Sequence, residues 1–200
     1  ELRLALAVAG EQELSTEDLH SKAARKIFNK TVVSEEERER AKVVNFAALY
    51  GSIGKHTDLI KGLYPKLLWT INDVIEQAKQ KSKFTNIFGR RRIFRNEVSY
   101  ETKAFNSLIQ GTAADICLRA LYLIQDQIKE QKLESKLIFT VHDSFIFDCS
   151  RDEVGKIAQI IRQGMTNKAI PSIYRKKVLF LVKLWAGNNY EDLIELRTIY

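Results

Sequence analysis

The apolar residues of the chain fall into two kinds of pattern, and the difference sorts most of it into elements. Leu67, Leu68, Ile71, Val74, Ile75 and Ala78 recur at helical spacing behind Pro65. They predict a helix from about Pro65 to Lys81 with proline in its first turn. Leu108, Ala113, Ile116, Cys117, Ala120, Leu121 and Ile124 form a nearly continuous stripe, so a longer helix is expected from about Glu101 to Gln131, with most of the stripe in the core. Two earlier helices are announced by their starts. Ser15, followed by Glu17 and Asp18, puts an N-cap ahead of carboxylates that suit the positive end of the helix dipole. Ser34 with Glu37 three residues on reads as a capping box, opening a helix that closes at Gly51.

Other segments lose the helical period. TNIFGRRRIF, residues 85–94, has apolar residues on both sides of Gly89 and predicts a hairpin. After the long helix come two short strand runs, Leu137–Phe139 and Phe145–Phe147, interrupted by the polar His142, Asp143 and Ser144. A helix follows around Asp152 to Lys168, then a last strand, VLFLVKL, ahead of WAGNNY. This order predicts an α+β fold, an α-rich lobe inserted into a platform with an antiparallel sheet. No internal repeat or low-complexity linker is visible.

Composition narrows the partners. Of 200 residues, 45% are hydrophobic and 28% charged, enough apolar content for one globular domain with a lobe. The net charge of +7 favours an anionic partner. The excess clusters: Lys79, Lys81, Lys83, Arg90, Arg91, Arg92 and Arg95 lie in one short segment among aromatics, a distribution suited to nucleic acid. Cys117 and Cys149 have no metal-ligand or disulfide spacing. No unbroken apolar run approaches ~18 residues and no signal peptide is seen, which predicts a reducing, soluble compartment and no membrane partner. The chain begins without Met inside an apolar run, as though the numbering starts within a larger protein.

Two constellations carry candidate chemistry. Arg38, Lys42, Phe46 and Tyr50 follow one another at four-residue steps and so share one broad helix face. Two cations and two aromatics could hold a nucleoside triphosphate, but the same spacing fits aromatics in the core and cations in solvent. The second is Asp143, displayed with His142 at a turn between apolar strands. Such a turn can fix a carboxylate for Mg²⁺ beside phosphate, or merely serve as an Asx-type turn.

These pieces resemble one family. RERAKVVNFAALYG, residues 38–51, is similar to the fingers-helix motif of the A-family DNA polymerases, R-x-x-x-K-x-x-x-F/Y-x-x-x-Y-G. ELRLALA at residues 1–7 resembles the second half of that family's first palm motif, and TVHDSFIFD at 140–148 its last palm motif, V-H-D-E. NSLIQGTAADI, residues 106–116, is similar to the helix that lies along the primer–template. DLH, FGRRR and LWAGNNY fall in family order, so the resemblance covers nearly the whole chain.

The resemblance implies a right-hand architecture, with residues 1–14 ending the first palm motif, 15–96 forming fingers and 97–200 forming palm. It implies template-directed addition of dNTPs to a primer 3′ end, with two Mg²⁺ ions, or Mn²⁺ in their place. Arg38 and Lys42 would clamp the triphosphate, Lys42 also protonating the leaving pyrophosphate, and His20 would add a phosphate contact. Phe46 would lie against the deoxyribose, and Phe here implies discrimination against nucleotides lacking a 3′-hydroxyl. Tyr50 with Glu1 would exclude a 2′-hydroxyl, which together with Phe46 argues against a single-subunit RNA polymerase. Asn106 and Gln110 would touch the minor groove of the primer–template. Asp143 would bind the catalytic metals, and His142 would sit at the primer end.

Four departures qualify the match. The first palm motif's metal-binding Asp would lie five residues before Glu1, outside this sequence. Ser144 stands where the family usually has Glu. The interval from Tyr50 to Tyr64 is shorter than usual by roughly a helix, and Thr102, beside Lys103, replaces a DNA-contacting Arg. With no thumb or exonuclease segment either, the expected protein is the C-terminal fingers and palm portion of a polymerase, inactive as this piece and completed by an N-terminal portion in cis or as a separate chain. A non-catalytic nucleic-acid-binding remnant is the rival. The expected location is the cytoplasm or nucleoid of a bacterium or phage-infected host, with an organelle as the alternative.

Overall fold

The computed structural model describes residues 1–50, 54–94 and 100–196. The chain divides into two compact units, residues 1–113 with 173–179, and residues 114–172 with 180–200. Three small two-stranded antiparallel sheets accompany eight α-helices among the described residues, an α+β composition as expected.

In the first unit, α1 (Leu2–Val8) buries Leu2, Leu4, Ala5, Leu6 and Ala7. Arg3, on the same helix, ties three strands of chain together: its guanidinium donates to the carbonyls of Ser15 (3.0 Å), Glu17 (2.8 Å) and Leu179 (3.0 Å). The connecting segment is further pinned by a parallel bridge between Glu13 and Val178. Next comes α2 (Leu19–Phe28), which begins later than expected. Asp18 is its N-cap, accepting from the Ser21 backbone N–H at 2.9 Å, whereas the Ser15 hydroxyl accepts from Glu17 N–H in the preceding turn. Both residues are good caps, and the Ser15 hydroxyl is already used two residues on.

α3 (Glu35–Leu49) opens with the expected capping box, Ser34 and Glu37 each receiving the other's backbone N–H. It ends at Tyr50, so its closure at Gly51 lies outside the described residues. A 3-10 turn (Gly54–His56) leads to α4 (Thr57–Leu63), a short helix that the apolar pattern does not reveal. α5 (Pro65–Lys81) has proline at its start and buries Leu67, Ile71, Val74, Ile75 and Ala78. The hairpin β1 (Lys83–Thr85) and β2 (Arg91–Ile93) turns through Asn86, whose side chain accepts from Phe88 and Arg90 N–H, and through Gly89 at φ +83°. That left-handed φ suits glycine.

α6 (Tyr100–Glu130) runs from the first unit into the second. Its fully buried positions are Ala104, Phe105, Ile109 and Thr112, then Ala120, Ile124 and Ile128. Of the predicted stripe, Ala120 and Ile124 are buried while Leu108, Ala113, Ile116, Cys117 and Leu121 are only half-buried. By length and composition the stretch Lys103–Glu130 could cross a membrane, which a search for unbroken apolar runs overlooks. Of its most apolar window 22% is buried, and one face of its second half packs in a core, where Ala120, Ile124 and Ile128 meet Ile157, Ile160 and Ile161 of α7 (Val154–Gln163).

The predicted helix at 152–168 is α7, from Val154, continued by a π-helical turn at Gly164–Lys168, and the carboxylate of its N-cap Glu153 accepts from Glu134 and Ser135 N–H. β3 (Lys136–Val141) and β4 (Ser144–Asp148) form the second hairpin. The third sheet pairs β5 (Trp185–Ala186) with β6 (Ile194–Glu195), and α8 (Ser172–Arg175) belongs largely to the first unit. The predicted last strand at 178–184 is therefore corrected: its regular pairing is confined to the single bridge at Val178. Apolar content signals burial, but without a neighbouring strand to complete a ladder it does not make one.

Gly164 provides a test of this packing. An added Cβ there would stand 2.7 Å from Ile124 Cγ1. Alanine gains up to about 1 kcal/mol in helix preference, but overpacking costs about 1–3 kcal/mol. Gly164→Ala is therefore expected to lower the urea midpoint, and in a cycle with Ile124→Ala, which removes Cγ1, the two losses are expected to be less than additive.

Candidate nucleotide and nucleic-acid site

In the first unit α3 presents its four-residue series as predicted, and the aromatics are not core. Phe46 is 40% exposed and Tyr50 39%. Their rings meet edge-on with centroids 6.1 Å apart, and His20 of α2 meets Phe46 in the same manner at 5.9 Å. Lys42 Nζ lies 6.0 Å from the Phe46 ring centre, at the outer limit of a cation–π contact. The face is thus an exposed aromatic step bordered by cations.

The cations are occupied by carboxylates. Arg38 Nε bonds Asp18 Oδ2 at 2.9 Å, and its Nη1 reaches Glu35 at 3.0 Å and Glu39 at 2.9 Å; Lys42 bonds Glu39 at 3.1 Å. Exposed pairs of this kind contribute little, on the order of 0–1 kcal/mol, so a polyanion offering several oxygens can displace them. Asp18 is brought down to about 2; burial pushes its carboxyl up, but the bonds from Ser21 and Arg38 outweigh it. His20 is held below its usual value by burial first, with Arg38 and Lys42 adding to this and Asp18 and Glu39 opposing it. The ring is thereby kept neutral beside two cations.

At the C-terminal end of α3, the Tyr50 hydroxyl donates to Glu1 Oε2 at 3.2 Å, while Gln110 of α6 approaches Glu1 Oε1 at 3.5 Å. Burial, then the Glu1 charge, pushes the Tyr50 phenol up, which keeps it a donor. Glu1, Tyr50 and Gln110, forty-nine and more residues apart in sequence, therefore form one polar cluster. Asn106 lies one helical turn before Gln110 and so shares its face of α6. Gly111, next to Gln110, is approached by the Arg90 side chain of the hairpin turn: an added Cβ would be 3.7 Å from Arg90 Cδ. The basic hairpin thus lies along this part of α6, with Arg91 and Arg92 exposed on β2. Arg92 also stacks over Phe94 at 5.3 Å, and Lys79 pairs with Glu76 on α5. Arg95 and the Thr102 side chain lie outside the described residues.

The second unit holds the other candidates. Val141 pairs with Ser144, leaving His142 and Asp143 as the two turn residues, with His142 at φ +54°. Both are exposed. The apolar strands around them are not the sheet interior that the pattern suggests: Ile138, Phe139 and Val141 are 54%, 49% and 45% exposed. A two-stranded sheet has one covered face, and here Phe145 and Phe147 of β4 take it, packed on the α6–α7 core. The Asp143 charge reaches Cys117 on α6, whose thiol is pushed up by burial and then by that carboxylate.

Among the described residues no group of three or more His, Cys, Asp or Glu side chains converges to hold a metal ion. Asp143 offers one exposed carboxylate, so the donors present do not by themselves fit a two-metal centre. A concavity of about 860 Å³ between the end of α6 and the start of β3, lined by Ile128, Lys129, Ser135 and Cys149, includes neither His142 nor Asp143.

Inspection of the sequence for cations and aromatics passes over the carboxylates that hold them, Asp18 and Glu39, and over Asn45. Asn45 is fully buried and its Nδ2 lies 2.9 Å from His20 Nδ1. A polar residue inside the apolar run Val43, Val44, Phe46 and Ala47 is the signal that would have marked it.

Comparison with known proteins identifies the family. The DNA polymerase I of Chloroflexus aurantiacus is 29% identical over 226 residues, covering 98% of this chain and 24% of its own length. The DNA polymerase of Bacillus phage SP01 is 28% identical over 211 residues, covering 89% and 23%. The chain therefore spans about a quarter of the length of these relatives. The first alignment is longer than the 200-residue chain, so the relative carries positions with no counterpart here. Among solved structures, the POL domain of Pol1 from M. smegmatis, in complex with DNA primer-template and dNTP, superposes with a TM-score of 0.77 at 26% identity, covering 85% of this chain and 35% of that one. The model of DNA polymerase family A matches residues 58–192, well over half of the sequence, and the chain belongs to that family.

Proposed function

We propose that this chain is the fingers and palm portion of a DNA-directed DNA polymerase, a nucleotidyltransferase that binds primer–template DNA and a dNTP. The observation that carries the reading is the exposed series Arg38, Lys42, Phe46 and Tyr50, with His20, Glu1 and Gln110 gathered around it in a member of this family. In this reading residues 1–14 end the first palm motif, 15–96 are fingers and 97–200 palm.

Each side chain then has a chemical task. Arg38 and Lys42 exchange their carboxylate partners for phosphate oxygens, a trade that favours the more highly charged anion. Lys42 is placed to protonate the departing pyrophosphate. Neutral His20 offers a hydrogen bond without adding a third charge. Phe46 lies under the sugar, and the Tyr50–Glu1 pair fills the space that a 2′-hydroxyl would need. Asn106, Gln110 and the basic hairpin face the duplex, where contacts to common acceptors and phosphates carry no sequence preference. Asp143 would give one ligand to Mg²⁺, with Mn²⁺ an alternative, and His142 would lie near the primer end. A further carboxylate has to come from the portion of the polymerase beyond this sequence, in cis or as a separate chain.

A second reading has its own support: Ser144 supplies a hydroxyl where the family usually has a carboxylate, and no acidic triad is present among the described residues. It makes the chain a DNA-binding remnant without turnover. Primer extension by the complete polypeptide separates the two. Asp143→Asn is expected to reduce extension at least about a hundredfold while leaving duplex binding intact, and Ser144→Glu to keep or raise it. Absence of extension by the unsubstituted polypeptide would establish the remnant.

The Tyr50–Glu1 pair gives a test of sugar selection. Glu1→Ala is expected to raise the use of rNTP relative to dNTP by about 10- to 100-fold, measured as the ratio of kcat/KM values. An unchanged ratio would remove this pair from the gate.

A further inference from the structure

The interior of the α2–α3 contact contains an amide that nothing in the preceding assignment uses. Asn45 is 0% exposed, one residue before Phe46 on α3 but turned away from the exposed series. Its Nδ2 is 2.9 Å from His20 Nδ1, and its Oδ1 is the one buried side-chain polar atom without a hydrogen-bond partner among the described residues. A buried acceptor left unpaired costs about 1–3 kcal/mol, so this orientation is held by what Nδ2 gains. Nδ2 has two bonds to give. One goes to His20; the Tyr64 phenol, at the junction of α4 and α5, is pushed up by burial first and then by Glu13, with Asn45 opposing them.

An amide N–H donating to Nδ1 makes that ring nitrogen the acceptor. In the neutral ring the proton must then sit on Nε2, which becomes the single donor of His20. We propose that Asn45 is a positioning residue that fixes His20 in the Nε2–H tautomer and in one ring orientation, so that it meets the triphosphate as a neutral donor. This rests on the phosphate-contact role assigned to His20 above.

The surroundings favour the same state. Arg38 and Lys42 of α3 disfavour a second positive charge on the ring, and Asp18, ahead of α2, and Glu39, of α3, oppose them only in part, since both are committed to those cations. From the side of α4 and α5 the neighbour is the uncharged Tyr64 phenol, with the buried Glu13 carboxylate beyond it paired to Lys22. Protonating Nδ1 would bring two N–H groups face to face. It would require the amide to turn over and present Oδ1 to the ring. Asn45 thereby makes the neutral ring the one that fits.

The test uses the complete polypeptide in primer extension, with dNTP as the probe, and histidine ¹⁵N shifts to read the tautomer. Asn45→Ala is expected to raise KM for dNTP about fivefold with little change in kcat, and to shift His20 toward a tautomer mixture. Asn45→Asp, whose carboxylate accepts from Nδ1–H, should favour the charged ring and move the pH at which KM changes upward by about one unit. In a His20→Gln background Asn45→Ala should add nothing further to KM, whereas a merely structural role would add to it. Full additivity in that cycle, or an unchanged tautomer and pH profile in a folded Asn45→Asp, would overturn the proposal. If His20→Gln leaves KM unchanged while Asn45→Ala still alters the tautomer, it is the phosphate-contact role that falls, and the proposal falls with it.

Discussion

The close approach of α2 and α3 is the constraint on which the nucleotide-facing surface depends. Ala23, Ala24 and Ala41 are fully buried at this contact, with Ile27, Phe28, Val33 and Leu63 packed around them. Small side chains let two helices come near enough for short polar groups to reach across. Asp18 thereby meets Arg38, and His20 meets both Asn45 and Phe46. Larger residues at the alanine positions would separate these pairs and displace Arg38 and His20 with them. Arg3 supports the arrangement from outside by holding the Ser15–Glu17 carbonyls, and with them the start of α2.

Charge is arranged on the same principle of provisional pairing. Arg38 and Lys42 share Asp18, Glu35 and Glu39, so both cations are paired with carboxylates before a ligand arrives. None of these pairs is deeply buried, and their low net value makes exchange for a triphosphate inexpensive. The hairpin that bears Asp143 is built differently. There the backbone does the positioning: β3 and β4 pair up to Val141 and Ser144, and His142 takes the left-handed conformation that closes the turn.

Much of this is legible in the sequence where a local rule decides the outcome. The capping box at Ser34 and Glu37, proline at the start of α5 and glycine at the turn near Arg90 act within a few residues, and each behaves as expected. The Arg38–Tyr50 series is likewise legible as a face, although spacing could not tell that Phe46 and Tyr50 are exposed. What escapes is settled by partners distant in sequence. The choice of Asp18 over Ser15 as cap, the loss of a strand at 178–184 and the exposure of β3 depend on which backbone or side-chain groups lie nearby. The Asn45–His20 bond, between residues twenty-five apart, is of the same kind. The family motifs identify Arg38, Lys42, Phe46 and Tyr50 because they face the ligand, and pass over the residue that holds one of their neighbours still.

The central claim is that the exposed face of α3 receives the triphosphate. The most direct measurement is a structure of the complete polypeptide with primer–template DNA and a correctly paired dNTP. Arg38 and Lys42 should be found on phosphate oxygens, released from Asp18 and Glu39, with His20 Nε2 donating to the triphosphate and the sugar against Phe46. A triphosphate bound elsewhere, with the Arg38–Asp18 pair intact, would contradict the claim.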